Sequence, residues 1–184
     1  MPNPTLYFLR SSEQKIAVDM LHYAMRLDET KKTLQDLPQL DIFKNFFGLT
    51  DKDLGLYALI DNNITGAIWV RQLKVEDSAN GFMDSTTPIL NIAVKPEFRG
   101  QGIGTAMLEQ LLLEAGALYE AISLSVLKDS KAIKFYERLG FEIQEDRDEK
   151  SPIDGSEVLT MLKKLTKKEV IRPTDGYDPR RWMD

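Results

Sequence analysis

The chain has 184 residues, is 42% hydrophobic and carries a net charge of −5, with no cysteine and a single histidine, His22. That length supports one domain with a full core. The composition excludes disulfides, thiolate metal ligands, a cysteine nucleophile and multi-histidine metal sites, and the acidic balance argues against a sequence-independent grip on nucleic acid.

Met1–Arg10 lacks the basic-then-apolar order of a secretory signal, and no window approaches the ~18 apolar residues of a spanning helix. A cytoplasmic protein with neither metal nor membrane partner is therefore expected. The alternation at 6–9 predicts a first strand. Ser11 with Gln14 three residues on is a capping box, predicting a helix with Ile16, Met20, Ala24 and Leu27 on one face. A second short helix is expected from Pro38 to Phe47, with Gly48 past its end. Strands at 56–60 and 67–70 flank Asp61-Asn62-Asn63, and because asparagine tolerates positive φ this reads as a hairpin.

After a polar loop through 76–81, a central strand is predicted at Ile89–Val94, ending at Pro96. A long amphipathic helix follows from about Gly102 to Ala117, with Met107, Leu108, Leu111 and Leu112 inward. A strand at 122–127, a helix from about Ser130 to Leu139 closed by Gly140, and strands at 141–145 and 158–165 complete the pattern. The order β-α-α-β-β-β-α-β-α-β-β predicts an α/β (α+β) fold, with a mixed sheet of about seven strands flanked by about four helices. Residues 1–166 form the expected domain. The polar stretch 167–184, containing Pro173, Tyr177, Pro179 and Trp182, is expected as an extended tail.

Arg99-Gly100-Gln101-Gly102-Ile103-Gly104-Thr105 lies between a predicted strand and a predicted helix. Alternating glycines leave backbone N–H groups open to an anion, and the helix N-terminus adds unsatisfied donors and a favourable dipole. Arg99 contributes a cation with a planar fork of donors. This describes a pyrophosphate cradle, though not the better-known ones. A P-loop needs Lys then Ser or Thr after its last glycine, whereas Gly104 is followed by Thr105-Ala106. A GxGxxG fingerprint needs glycine at Met107 or Thr105.

The segment Asn91-Ile92-Ala93-Val94-Lys95-Pro96-Glu97-Phe98-Arg99-Gly100-Gln101-Gly102-Ile103-Gly104 resembles the strand, turn and Arg/Gln-x-x-Gly-x-Gly/Ala loop of the Gcn5-related N-acetyltransferase (GNAT) family. A second block, Asp129-Ser130-Lys131-Ala132-Ile133-Lys134-Phe135-Tyr136-Glu137-Arg138-Leu139-Gly140-Phe141, matches independently. The resemblance spans roughly Thr5 to Leu165. It implies that acetyl-CoA is the cosubstrate, and that central strands splay to admit the pantetheine arm. The backbone of Ile92, Ala93 and Val94 would pair with that arm, and N–H groups from Gln101 to Thr105 would hold the pyrophosphate. Asp129 and Ala132 fall at cofactor-contacting positions. Asp129 replaces a common asparagine, and an ionised carboxylate cannot donate a hydrogen bond. Tyr136 matches the tyrosine beside the thioester sulfur.

Acetyl transfer requires a neutral amine, a donor for the carbonyl oxygen and help for the departing thiolate. Tyr136 is the expected general acid, and a backbone N–H near Ala93 or Val94 the expected oxygen donor. Asp84, Glu76 and Asp77 are the carboxylates available before the central strand. The reaction expected is direct transfer to a primary amine in a ternary complex, since no cysteine can carry an acyl group. A non-catalytic acyl-CoA sensor and an interaction protein are the alternatives. The acceptor, a small molecule or a protein amine, is not fixed by the fold, and a homodimer is compatible with it.

Overall fold

The computed structural model describes residues 3–43 and 53–167. It is a single eight-stranded sheet in the order β1-β2-β3-β4-β5-β8-β6, with β7 also paired to β8. The strands are β1 Thr5–Phe8, β2 Leu54–Ile60, β3 Asn63–Arg71, β4 Ile89–Val94, β5 Ala121–Leu127, β6 Glu142–Ile143, β7 Glu149–Lys150 and β8 Glu157–Lys164. Three α-helices flank them: α1 Gln14–Ala24, α2 Ile103–Ala115 and α3 Ala132–Arg138. A six-residue 3-10 helix, Pro38–Phe43, is the fourth. The expected α/β (α+β) class and layering are therefore found, with one more strand than the pattern suggested.

Local chemistry explains most boundaries. Asp61 and Asn62 take φ of 49° and 63° between the paired residues Ile60 and Asn63. Two consecutive positive φ values make the two-residue turn whose twist suits a hairpin. The expected capping box at Ser11 and Gln14 is replaced by its neighbour. Glu13 Oε2 accepts from the Arg10 N–H at 3.0 Å, and a 3-10 turn at Ser11–Glu13 leads into α1. The helix accordingly buries Ala17, Met20 and Leu21, with Ile16 and Ala24 only half-buried.

The predicted helix to Phe47 is seen as far as Phe43. Its remainder, like the 168–184 tail with Tyr177 and Trp182, lies outside the described residues. The predicted 141–145 strand shortens because the Phe141 N–H closes the α3 turn on Tyr136 C=O, leaving Glu142 and Ile143 to pair.

Alternating strand faces separate two cores. Leu56, Ile68, Leu90, Leu108, Leu111, Leu124, Tyr136 and Met161 pack on the α2 side. Met20, Leu21, Leu40, Phe43, Trp69, Ile89 and Ala93 pack on the α1 side. The 3-10 helix is fastened to β3 by Trp69 Nε1 donating to Phe43 C=O at 2.8 Å. Arg71 Nε donates to Ile42 C=O at 3.3 Å, and Arg71 Nη1 reaches both Asp53 oxygens at 2.9 and 3.0 Å.

Among the described residues no helix is long and apolar enough to cross a membrane, and no cluster of histidine and carboxylates could hold a metal.

The Arg71–Asp53 side chains are only 9% and 3% exposed, so removing one partner strands a buried charge. Arg71→Ala is expected to lower unfolding free energy by about 3–5 kcal/mol, read from urea midpoints.

Candidate active site

β4 and β5 run parallel, yet the only bridged pair between them is Ile89 with Ser123, where the Ser123 N–H donates to Pro88 C=O at 3.1 Å. β4 stays paired to β3 from Ile89 to Val94, and β5 to β8 from Ala121 to Leu127. Each strand is held by its outer neighbour while the inner pairing stops. A gap opens from Ile89 toward the carboxyl ends of both strands, which is where open parallel sheets bind ligands.

Successive residues of a strand direct their backbone groups to opposite neighbours. The Lys95 N–H reaches Thr65 C=O on β3 at 2.9 Å, whereas Pro88 C=O serves β5. Odd-numbered residues of this strand therefore address β3 and even-numbered ones address β5. The backbones of Ile92 and Val94 line the gap. That of Ala93, opposite Ala67, faces β3, so the expectation that its N–H serves the gap is corrected by strand parity. The strand is also closely seated on β3, because a Cβ on Gly66 would lie 2.8 Å from Ala93 C=O and 2.9 Å from Met107 Cε.

The glycine loop sits at the carboxyl end of β4. Gly100 and Gly102 have φ of 76° and 80°, and a Cβ built on either meets nothing within 4 Å. Glycine is thus required by backbone conformation, and the space beside it is open. Gly104 differs, since its Cβ would lie 3.8 Å from Ile92 Cδ1 and Val94 Cγ2. Gly102 is the N-cap of α2, with no side chain capping it, and the first intrahelical bond is from the Ala106 N–H to Gly102 C=O. The N–H groups of Ile103, Gly104 and Thr105 consequently have no helical partner. Gln101 turns its side chain back to Glu97 C=O at 3.4 Å.

Arg99 is held differently from a free cation. Its Nε donates to Val94 C=O at 3.0 Å, and its Nη atoms lie 3.4 Å from Asp28 and 3.5 Å from Glu29. It bridges the gap-lining strand to the turn after α1. Arg26 enters that turn with φ of 54° and pairs with Glu29. This hydrogen bond, with Arg26 charge, holds the Glu29 carboxyl below its usual range.

At the carboxyl end of β5, Asp129 is exposed and Ala132 half-buried. The Ala132 N–H is taken by Ser130 Oγ at 3.1 Å. Tyr136 is buried at 8% exposure, between Phe135 and Phe141, whose ring centroids lie 5.2 and 5.8 Å away. Burial pushes its hydroxyl up to about 12, with the Arg26 charge opposing.

Two of the three carboxylates considered as bases organise loops instead. Asp84 Oδ1 accepts from Thr86 Oγ1 and the N–H groups of Thr86 and Thr87 at 2.7–2.8 Å, bonds that hold its carboxyl below the usual range. Asp77 accepts from the Lys74 N–H, and Glu76 is exposed. His22 is half-buried against the edge of Tyr23.

Sequence reasoning missed Glu149, which accepts from Thr160 Oγ1 and Arg147. Burial would raise it, but those bonds, the Arg147 charge and the Gly81 N–H hold it low. A base so fully supplied with donors is a poor one. Its position depends on a two-residue strand that no periodicity announces.

A family model described as "Acetyltransferase (GNAT) domain" matches residues 52–143, which hold β2 through β6 and the glycine loop. The chain belongs to the GNAT acetyltransferase family. A curated relative, the chloroplastic GCN5-related N-acetyltransferase 2 of Arabidopsis thaliana, is 39% identical over 54 residues, which is 29% of this chain and 20% of that protein. The matched stretch thus spans about a fifth of that relative.

The GNAT fold also extends across nearly the whole chain. The ribosomal-protein-S18-alanine N-acetyltransferase of Escherichia coli superimposes with TM-score 0.62 and 19% identity, covering 96% of this chain and 100% of that one. The phosphinothricin acetyltransferase of Sinorhizobium meliloti, solved in complex with acetyl-CoA, gives 0.60 and 19% over 96% of each.

The two outer loop glycines make a contrast with the helical one. Gly102→Ala is expected to weaken acetyl-CoA binding at least about tenfold, since its Cβ occupies the open space and the φ costs about 1–2 kcal/mol. Gly104→Ala should stay within about threefold. Calorimetric titration of both variants checks the pair.

Proposed function

We propose that the protein is an N-acetyltransferase moving the acetyl group of acetyl-CoA to a primary amine by direct attack in a ternary complex. The observation carrying this reading is the gap between β4 and β5, ending beside a helix N-terminus with three N–H groups free of helical partners. A strand-shaped arm would pair with the backbones of Ile92 and Val94, and a pyrophosphate would take the N–H groups from Gln101 to Thr105. Family membership and a neighbour solved with acetyl-CoA support this ligand. Asp129 and Ala132 would border the arm from the β5 side, with Arg99 and the Gly100 backbone closing the mouth.

Acetyl-CoA supplies its acetyl group as a thioester. The amine nitrogen forms the new N–C bond, the C–S bond breaks with its electron pair on sulfur, and the amine releases a proton. An even-numbered β4 N–H directed into the gap, Ile92 or Val94, is the donor for the carbonyl oxygen.

Tyr136 would be the donor to sulfur. A hydroxyl at about 12 handing its proton outright to a thiolate near pKa ~8.5 would go uphill by about 5 kcal/mol. Its role is then to hold a hydrogen bond to the sulfur while keeping its proton, and the proton lost by the amine neutralises the thiolate. Asp77 and Asp84, before β4, are engaged as loop caps, so the amine's proton would reach the sulfur by way of water rather than through either of them. A cytoplasmic protein and a possible homodimer belong to this reading, as the sequence expectations had them.

Calorimetric binding of acetyl-CoA, with NADH and ATP as controls, followed by thiol release with an amine panel, tests the proposal. Binding without turnover on any amine would leave a sensor; absence of binding by the folded protein would leave the loop as architecture.

Tyr136→Phe is expected to lower kcat by about 10–100-fold, the worth of one hydrogen bond to a charged group, with acetyl-CoA affinity unchanged. Because the folded hydroxyl is raised, its stabilising contribution is complete below pH ~10 and lost as pH climbs toward 12. The variant should therefore resist alkaline unfolding by up to about 2–3 kcal/mol relative to wild type, read from melts across that range.

A further inference from the structure

Two polar atoms where β4 and β5 part have no partner. Asn91 Nδ2 and Ser123 Oγ are buried without a hydrogen bond, in residues 5% and 0% exposed. Folded proteins leave few such groups, and each calls for a reason.

Their placement supplies one. Ser123 is the residue bridged to Ile89, and Asn91 lies two positions further along β4, on the same face as Ile89. That is the α1 face, since Ile89, Ala93 and the Trp69 opposite Asn91 all pack with α1. Ser123 alternates with Ile122 and Leu124, which belong to the other core. The two side chains lie on the same face at the apex of the gap, the face away from the glycine loop and α2.

Loops close this apex from outside. Gly81 comes down on β5, where a Cβ would stand 3.0 Å from the Leu124 carbonyl carbon and 3.1 Å from the Ser125 nitrogen. Its loop is fastened by Arg147 Nη2 to Phe82 C=O at 2.6 Å and by Asn80 Nδ2 to Lys150 C=O at 2.7 Å.

An amide N–H₂ only donates, and a serine hydroxyl can donate, so the pair calls for an oxygen. The nearby cations are already engaged, Arg147 with Glu149 and Arg99 with Asp28 and Glu29, which favours a neutral oxygen over a carboxylate. Asn91 is the residue next to Ile92, whose backbone lines the gap, so an acceptor whose nitrogen attacks beside Ile92 presents the Asn91 side chain with an oxygen close to that nitrogen. The three bonds from an α-nitrogen to its own carbonyl oxygen cover about 3 Å.

We infer that Asn91 and Ser123 bind the neutral carbonyl oxygen of the acceptor, and that the acceptor is an α-amino carboxamide. The source is either a small amino-acid amide or the first residue of a peptide. This inference rests on the acetyltransferase reading above.

The test uses the full chain at saturating acetyl-CoA, following thiol release with alaninamide, a trialanine amide, free alanine, spermidine and propylamine. Counted per neutral amine, because an α-amine is far less protonated than an alkylamine, the two carboxamides should exceed propylamine and spermidine in kcat/KM by at least about tenfold, since a site left with unpaired polar groups rejects an acceptor lacking the oxygen. Trialanine amide above alaninamide assigns a peptide; the reverse assigns a small amide. Asn91→Leu and Ser123→Ala should each collapse that preference about tenfold while melting at or above the wild-type temperature, since each removes a group unsatisfied in the free protein.

Equal rates with propylamine, a preference for free alanine, or variants that lose all acceptors in proportion would overturn the inference and leave the acetyltransferase reading standing. A melting loss in both variants would show that the atoms serve the fold through bound water, and would overturn it too. No release with any amine would overturn both readings together.

Discussion

The arrangement depends on a ladder that stops. β4 and β5 share one bridged pair, and everything that makes a site follows from the pairing that ends there. Two parallel strands could separate only if each were held elsewhere, and they are: β3 pairs with all six residues of β4, and β8 with all seven of β5. The unmet backbone groups that a buried gap leaves are costly unless something pairs with them. The fold is therefore incomplete along that edge in a way that an extended ligand completes. The even-numbered residues of β4 carry the burden, and the odd-numbered ones keep β3 in place.

Much of this was legible in the sequence, for reasons that can be named. Ile89–Val94 is a short apolar run closed by Pro96, Ile103–Ala115 carries a long apolar stretch behind the glycine loop, and the turn at 61–63 carries residues that accept positive φ. The glycine loop is a local device, so its spacing alone announces an open helix N-terminus. What stayed hidden depends on contacts between distant segments. Nothing in the type of Arg26 signals a left-handed backbone, and nothing near Asp28 or Glu29 foretells Arg99, some seventy residues on. The Glu149–Thr160 bond needs the β7–β8 register, and a two-residue strand has no period to read. Ala93 illustrates a finer limit. The segment was placed correctly, but which of its N–H groups faces the gap depends on strand parity, which only a neighbour's hydrogen bond can set.

Charge near the mouth is arranged with similar economy. Arg99, expected as a cation waiting for phosphate, divides its donors between Val94 C=O and the carboxylates of the turn after α1. One side chain thereby touches the strand that lines the gap, the loop that caps it and the segment that borders the opposite face. These surface-facing ion pairs are individually weak, so their worth lies in geometry: the 26–29 turn, the mouth of the gap and the end of β4 cannot shift independently. On the proposed reading, anion binding at the loop would then rest mainly on the α2 backbone donors, whose strength does not depend on freeing Arg99.

The two faces of the gap are therefore unequal by construction. On the α2 face stand the glycine loop and a tyrosine whose burial keeps it protonated at any physiological pH. Asp77 and Asp84 are spent on loop caps and Glu149 on Arg147 and Thr160, and the buried atoms left over where β4 and β5 part are an amide and a hydroxyl. Without a buried base the proposed transfer still proceeds if the amine arrives neutral, and exclusion of water lowers the population of ammonium in the same way that burial raises the tyrosine. One physical cause, burial, would thus act on donor and acceptor alike. On the proposed reading it would keep the phenol proton in place beside the sulfur and favour loss of the proton at the attacking nitrogen.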